Sequence, residues 1–299
     1  MAEADAMSNP SAHVCNQTLS PRCEDFSPHC ADGIEPCYPF PSDFCLDVDG
    51  SKILVCHHLC AGHPATTRAV ALFFPGMHGG VGPCRTPPAN FDEHALYPTL
   101  AARIAEKNDV DCYRCSWPYM RPTMEYAVKA ALKVLRHAVK KTTGGRESDA
   151  GEDRIIDIIL IGHSLGGLAV WRTAKIIALH IQAGTFKRLR RRFNLRLSGF
   201  CTLNGCVTQH TVEEDLDGVA PLCDARALFV VGLKDRVVPP MASMGAFTAL
   251  PITQKRLLTL EDGEHDLFTC KDRLILELER FILGENPRDA EPGDEDVSR

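Results

Sequence analysis

Apolar residues along this chain fall into two rhythms, period two and period near 3.6, and the rhythms alternate. From Phe44 a short strand, an Asp49-Gly50 turn and a second strand through Ile53 to His57 predict a hairpin that opens a sheet. The run Ala69 to Phe74 is apolar without a break, as expected of a strand buried on both faces, and it stops at Pro75-Gly76. Leu100, Ala101, Ile104 and Ala105 then share one face of a helix from about Tyr97, with Pro98 tolerated in its first turn. A strand near Val110 to Cys115 follows. The next helix begins near Pro122, with Met124, Ala127, Val128, Ala131 and Leu135 at helical spacing, and is expected to end before the polar stretch that starts at Lys140.

Ile155 to Ile161 reads as a fifth strand, Leu165 to about Ile181 as a helix, Leu197 to Leu203 as the sixth strand and Ala227 to Val231 as the seventh. Arg256 to Leu260 and Asp272 to Ile282 supply a last strand and helix. This alternation predicts an α/β domain over residues 41–284, with a mostly parallel eight-stranded sheet, right-handed crossovers and helices on both faces. Active groups in such sheets gather beyond the carboxyl ends of the strands. About twenty residues separate the sixth and seventh strands, too few for a large cap domain. Residues 1–40, rich in Ser, Pro, Cys and Asp, show no sustained period and predict an irregular arm; residues 285–299 predict an acidic disordered tail.

Charge narrows the partners. The formal net charge is −6, and the tail from Glu285, with six acidic residues against two arginines, carries most of it. The folded body is thus close to neutral, with no global field to recruit nucleic acid. The basic run Lys187 to Arg196 falls at the end of the sheet opposite the expected chemistry and is expected to be a solvated patch. No apolar run approaches the roughly eighteen residues that span a bilayer. The opening MAEADAMSNP lacks the basic segment and apolar core of a secretory signal, so a cytoplasmic location is expected. Seven of the fourteen cysteines precede residue 61. Reduced thiols are expected there, with disulfides after an unrecognised export route or metal binding as alternatives; the Asn16-Gln17-Thr18 sequon matters only in the export case. The segment CHHLC, Cys56 to Cys60, suggests a metal cluster, but strand alternation sends neighbouring side chains to opposite faces and no metal is expected.

The chemistry concentrates where the fifth strand ends. Gly162 to Gly167 read GHSLGG, which contains the G-x-S-x-G pattern with Ser164 at its centre. Five positions are weak by themselves. Here they directly follow a β-branched strand and directly precede an apolar helix, the setting that presents a serine hydroxyl on a sharp turn. Gly162 and Gly166 crowd each other at such a turn and have a reason to lack side chains. The helix from Leu165 points its positive end at the serine. His163 reads as a packing or loop-bonding residue.

With that setting the chain resembles the α/β-hydrolase superfamily, from about Phe44 to Leu283. The resemblance implies an α/β-hydrolase fold, a triad in the order Ser, acid, His, and two oxyanion donors. It places Ser164 as nucleophile. Asp235, in VVGLKDRVVPP after the seventh strand, takes the acid position, with Asp215 or Asp217 as alternatives; the less common acid position after the sixth strand holds Asn204. His265, in EDGEHDLF after the last strand, takes the place of the base. A histidine base must be neutral to accept a proton, so activity is expected to rise through about pH 6 to 7. The N–H of Leu165 is one implied oxyanion donor. The loop FFPGMHGG matches the family's His-Gly-x pattern with Pro75 in place of the His, which makes Met77 N–H the second donor and His78 its fallback. His78 and Arg121, in loops bordering the site, are candidate substrate contacts, although an arginine there also suits bracing a helix start. The implied function is a serine hydrolase acting on a carboxylic ester, thioester or related acyl bond of a small molecule, through an acyl-serine and without a cofactor. An acyltransferase with the same triad, or a non-catalytic interaction protein on this fold, are the alternatives.

Overall fold

The computed structural model describes residues 43–60, 67–77, 96–107, 109–117, 123–142, 155–184, 194–215, 222 and 224–285. The arm 1–40, the tail beyond 285, the polar stretch 143–154, residues 187–193 of the basic run, His78, Arg121, Pro122 and Asp217 lie outside the described residues.

Strands β1 (Phe44–Val48) and β2 (Ser51–His58) form the antiparallel hairpin. Its turn needs left-handed backbone at both central residues, and Asp49 and Gly50 supply it at φ 51° and 82°. Strand β3 (Ala69–Phe74) is buried at all six positions, between β4 (Val110–Ser116) and β5 (Ile155–His163), and runs parallel to both. Strands β6 (Asn194–Leu203), β7 (Arg226–Gly232) and β8 (Lys255–Leu260) continue the parallel part, so the eight-stranded order is β1-β2-β4-β3-β5-β6-β7-β8.

Alternation along the strands divides the core between the two faces. Leu72, Leu160, Phe200 and Phe229 pack with α2 (Met124–Thr142) and α3 (Leu165–Gln182). Their sequence neighbours Phe73, Ile161, Cys201 and Leu228 pack on the other face with α1 (Leu96–Lys107) and α6 (Lys271–Leu283). Phe73, Phe74, Phe200 and Phe229 are fully buried, each stabilising the fold by about 1.5–3 kcal/mol. Among the described residues no helix is long and apolar enough to cross a membrane.

Several boundaries differ from the pattern. Helix α2 runs past Lys140 to Thr142, because the Thr142 hydroxyl donates at 2.6 Å to the buried Asp111 carboxylate and anchors its last turn to β4. Strand β6 starts at Asn194 rather than Leu197 and so absorbs the end of the basic run; Arg196 makes a two-point bond to Asp157 of β5, at 2.6 and 2.9 Å. Among the described residues two α-helices are additional: α4 (Gln209–Glu214), between β6 and β7, and α5 (Pro240–Ala249), after β7. The first has six residues and the second has no polar face, so neither produces a clear period.

In β2 the two adjacent histidines of CHHLC do diverge. His58 accepts from Arg114 Nε at 2.9 Å, whereas His57 stacks on Tyr113 with ring centroids 5.1 Å apart. Tyr113 and Arg114 are consecutive in β4 and face opposite sides. The Cys60 thiol lies 3.2 Å from the Thr67 hydroxyl.

Candidate active site

Strand β5 passes into α3 through one residue, Ser164, at φ 53° and ψ −119°. A non-glycine residue in that region costs about 1–3 kcal/mol and persists only where its surroundings over-determine it. Here they do. Ser164 N donates to Leu203 O at 2.9 Å, and Ser164 O accepts from Gly167 N and from Cys206 N, both at 3.0 Å. A Cβ on Gly162 would strike the Gly166 carbonyl, and one on Gly166 would strike the carbonyls of Pro75 and Phe74. The first turn of α3 is thus wedged against the ends of β5 and β3, which fixes where the serine stands.

That wedging also carries the loop after β3 to the serine. A Cβ on Gly76 would lie 3.2 Å from both Ser164 Cβ and His163 Nδ1, so this backbone passes directly beside the hydroxyl-bearing residue. Met77 follows it and is half-buried, and Leu165 is the first residue of α3.

From the end of β7 the chain turns through Asp235, whose side chain is 1% exposed. Its Oδ1 accepts from Val237 N at 2.7 Å and Val238 N at 3.0 Å, and its Oδ2 lies 2.8 Å from His265 Nδ1. With its oxygens occupied as acceptors, the carboxylate orients the imidazole so that Nδ1 carries the proton and Nε2 presents a lone pair. Asp215 takes no part: it binds Trp171 Nε1 at 3.1 Å and Lys175 Nζ at 3.1 Å, both on α3.

Two side chains grip the backbone of His265. His163 Nε2 lies 2.7 Å from the His265 carbonyl oxygen, and the two imidazole centroids are 4.8 Å apart. Asn204 Nδ2 donates to Glu264 O at 2.8 Å and to His265 O at 3.1 Å, while its Oδ1 accepts from Gly232 N at 2.7 Å. Burial pushes the His163 imidazole down to about 4, with the neighbouring His265 ring adding to the effect, so it is neutral near pH 7.

The geometry therefore unites Asp235 with His265 by a direct hydrogen bond, and brings Ser164 within one residue of a ring contact to His265. Ser164 Oγ itself lies 3.8 Å from Cys206 Sγ and makes no hydrogen bond to His265. Hydroxyl rotors often leave such bonds open until substrate is bound. Cys206 escaped the sequence reading because nothing local marks it; it lies three residues past β6, whose pairing with β5 ends at His163 opposite Leu203, beside Ser164.

No family model matches the chain, and no curated protein matches it. Solved structures do. Est1E from Butyrivibrio proteoclasticus with bound ferulic acid superposes with a TM-score of 0.55 at 15% identity, over 81% of this chain and 98% of that one. An alpha-beta serine hydrolase homologue from Coxiella burnetii superposes with a TM-score of 0.51 at 13% identity, over 82% of this chain and 97% of that one. At such identities the likeness speaks for architecture alone: the chain has the α/β-hydrolase fold, with its eight-stranded, mostly parallel sheet.

Proposed function

We propose that this chain is a serine hydrolase that cleaves a carboxylic ester, thioester or related acyl bond of a small molecule. The observation that carries the reading is the 2.8 Å bond from His265 Nδ1 to Asp235 Oδ2, made between two loops that follow different strands, beside a serine held at positive φ.

In the proposed reaction His265 Nε2 takes the Ser164 hydroxyl proton as Oγ attacks the substrate carbonyl carbon. Asp235 holds the imidazole tautomer and stabilises the imidazolium. The negative charge that develops on the carbonyl oxygen is met by the N–H of Leu165, at the positive end of α3, and by the N–H of Met77; each such donor is worth about 10² to 10³ in turnover. His265 then protonates the departing alkoxide or thiolate and leaves acyl-Ser164. A water, deprotonated by His265, attacks the acyl carbon; the bond to Ser164 Oγ breaks, His265 returns the proton to Oγ, and the acid leaves. An alcohol in place of that water yields acyl transfer from the same intermediate.

The Ser164 hydroxyl has to turn from Cys206 toward His265 for this to begin. The contact it leaves is weak, since sulfur is a poor hydrogen-bond partner. Covalent labelling by a fluorophosphonate, mapped by mass, tests the reading. Labelling at Ser164 that disappears in Ser164→Ala supports it; a folded wild type that does not label and does not hydrolyse p-nitrophenyl or thioester substrates refutes it.

A further inference from the structure

We propose that His163 and Asn204 are positioning residues that set the placement of His265 by clamping its backbone carbonyl from two sides. This rests on the hydrolase reading above. The imidazole of His265 has two restraints of its own, the bond to Asp235 and the ring contact with His163. Neither fixes how far its loop extends beyond β8. The clamp does, because both donors come from elements wedged into the sheet.

A backbone carbonyl can only accept, so the neutral His163 ring must carry its proton on Nε2 to make the 2.7 Å contact. Its unprotonated Nδ1 then lies beside Gly76, where an added Cβ would stand 3.2 Å from it. His163 is buried at the last position of β5, next to Ser164, so the donor moves with the nucleophile's own strand. Through it, the distance between Ser164 and the base becomes a property of one strand end.

Asn204 works from the other side. It is buried at φ 43°, a left-handed conformation that Asn tolerates better than most residues, and its backbone N donates to Val230 O at 2.9 Å. Its amide donates to two successive carbonyls of the loop carrying His265 and accepts from Gly232, three residues before Asp235. One side chain thereby sets the acid loop and the base loop against each other. A carboxylate at this position could still accept from Gly232, but it would face two carbonyl oxygens with no proton to offer.

The test uses the full chain. His163→Phe keeps a ring against His265 and removes the donor, His163→Gln restores an N–H, and Asn204→Asp keeps the acceptor while removing the donor. Fluorophosphonate labelling of Ser164 is expected to slow about 10-fold or more in His163→Phe and Asn204→Asp, since a 1 Å displacement of a reacting group can cost about 100-fold. His163→Gln is expected to recover most of the loss. The downfield proton resonance of His265 Nδ1–H is expected to shift in the two slowed variants, a change that general loosening elsewhere would not cause. Folded variants with a wild-type labelling rate and an unmoved resonance overturn the proposal. Should the variants not fold, the ¹⁵N shifts of His163 in the wild type at neutral pH decide: the Nε2–H tautomer supports the clamp, and an Nδ1–H tautomer or a cation overturns it. A wild type that does not label at Ser164 overturns the hydrolase reading and the positioning role with it, while the tautomer still reports whether the bond exists.

Discussion

Ser164 Oγ lies 3.8 Å from Cys206 Sγ, and the same two residues are joined again by Cys206 N donating to Ser164 O at 3.0 Å. The backbone bond holds the strained turn, whereas the side-chain contact holds only a rotor. These two parts of the contact separate under mutation. Cys206→Ala keeps the N–H and frees the hydroxyl, so fluorophosphonate labelling of Ser164 should stay within about fivefold of wild type, a change of roughly 1 kcal/mol. Cys206→Phe fills the space in front of the hydroxyl, and labelling should fall by about 100-fold or more with the protein still folded.

The proposed reaction needs both Asp235 and His265. Removing the base by His265→Ala should leave esterase turnover at or below about 10⁻³ of wild type. Asp235→Asn leaves a hydrogen-bonding group but presents the wrong imidazole tautomer, and turnover should fall by about 10³ to 10⁴. Steady-state rates on an activated ester, measured for both variants beside wild type, check the two values.

His163 links the site to stability. Its folded-state value is about 4 against 6.5 for the free side chain, so as pH falls the unfolded chain takes up the proton first. The stability associated with a neutral His163 is therefore complete above about pH 6.5 and is lost as pH falls toward about 4. The loss could reach about 3 kcal/mol. His58, which burial and then Arg114 also push down to about 4, contributes in the same window. Urea unfolding between about pH 7 and pH 5 should show this decline, and His163→Gln should flatten part of it.

The glycines of the turn have no room for a methyl group. In Gly162→Ala or Gly166→Ala the new Cβ meets backbone carbonyls, which cannot rotate aside as a side chain can. Each substitution should destabilise the domain by at least about 3 kcal/mol, measured by chemical unfolding, or prevent folding altogether.

The alternation of periods along the chain determined the sheet, its helices and its mostly parallel sense, because burying one face leaves a local, repeating signature. The motif at Gly162–Gly167 likewise marked the strained turn, since the crowding of Gly162 by Gly166 is a matter of four residues of chain. Asp235 and His265 were legible as candidates through the resemblance to a family, by their places after β7 and β8. The bond between them, across 30 residues of chain, was left to the tertiary structure. So were the partners of the site that no motif announces: Cys206, 42 residues from Ser164, and the grip of His163 on a carbonyl 102 residues away. Helices α4 and α5 were invisible for a related reason, since one is too short and the other too uniformly apolar to carry a period. A hydrogen bond to a backbone carbonyl recognises position rather than residue type. The sequence therefore states which side chains are available, and only the packing of parallel strand ends decides which of them meet.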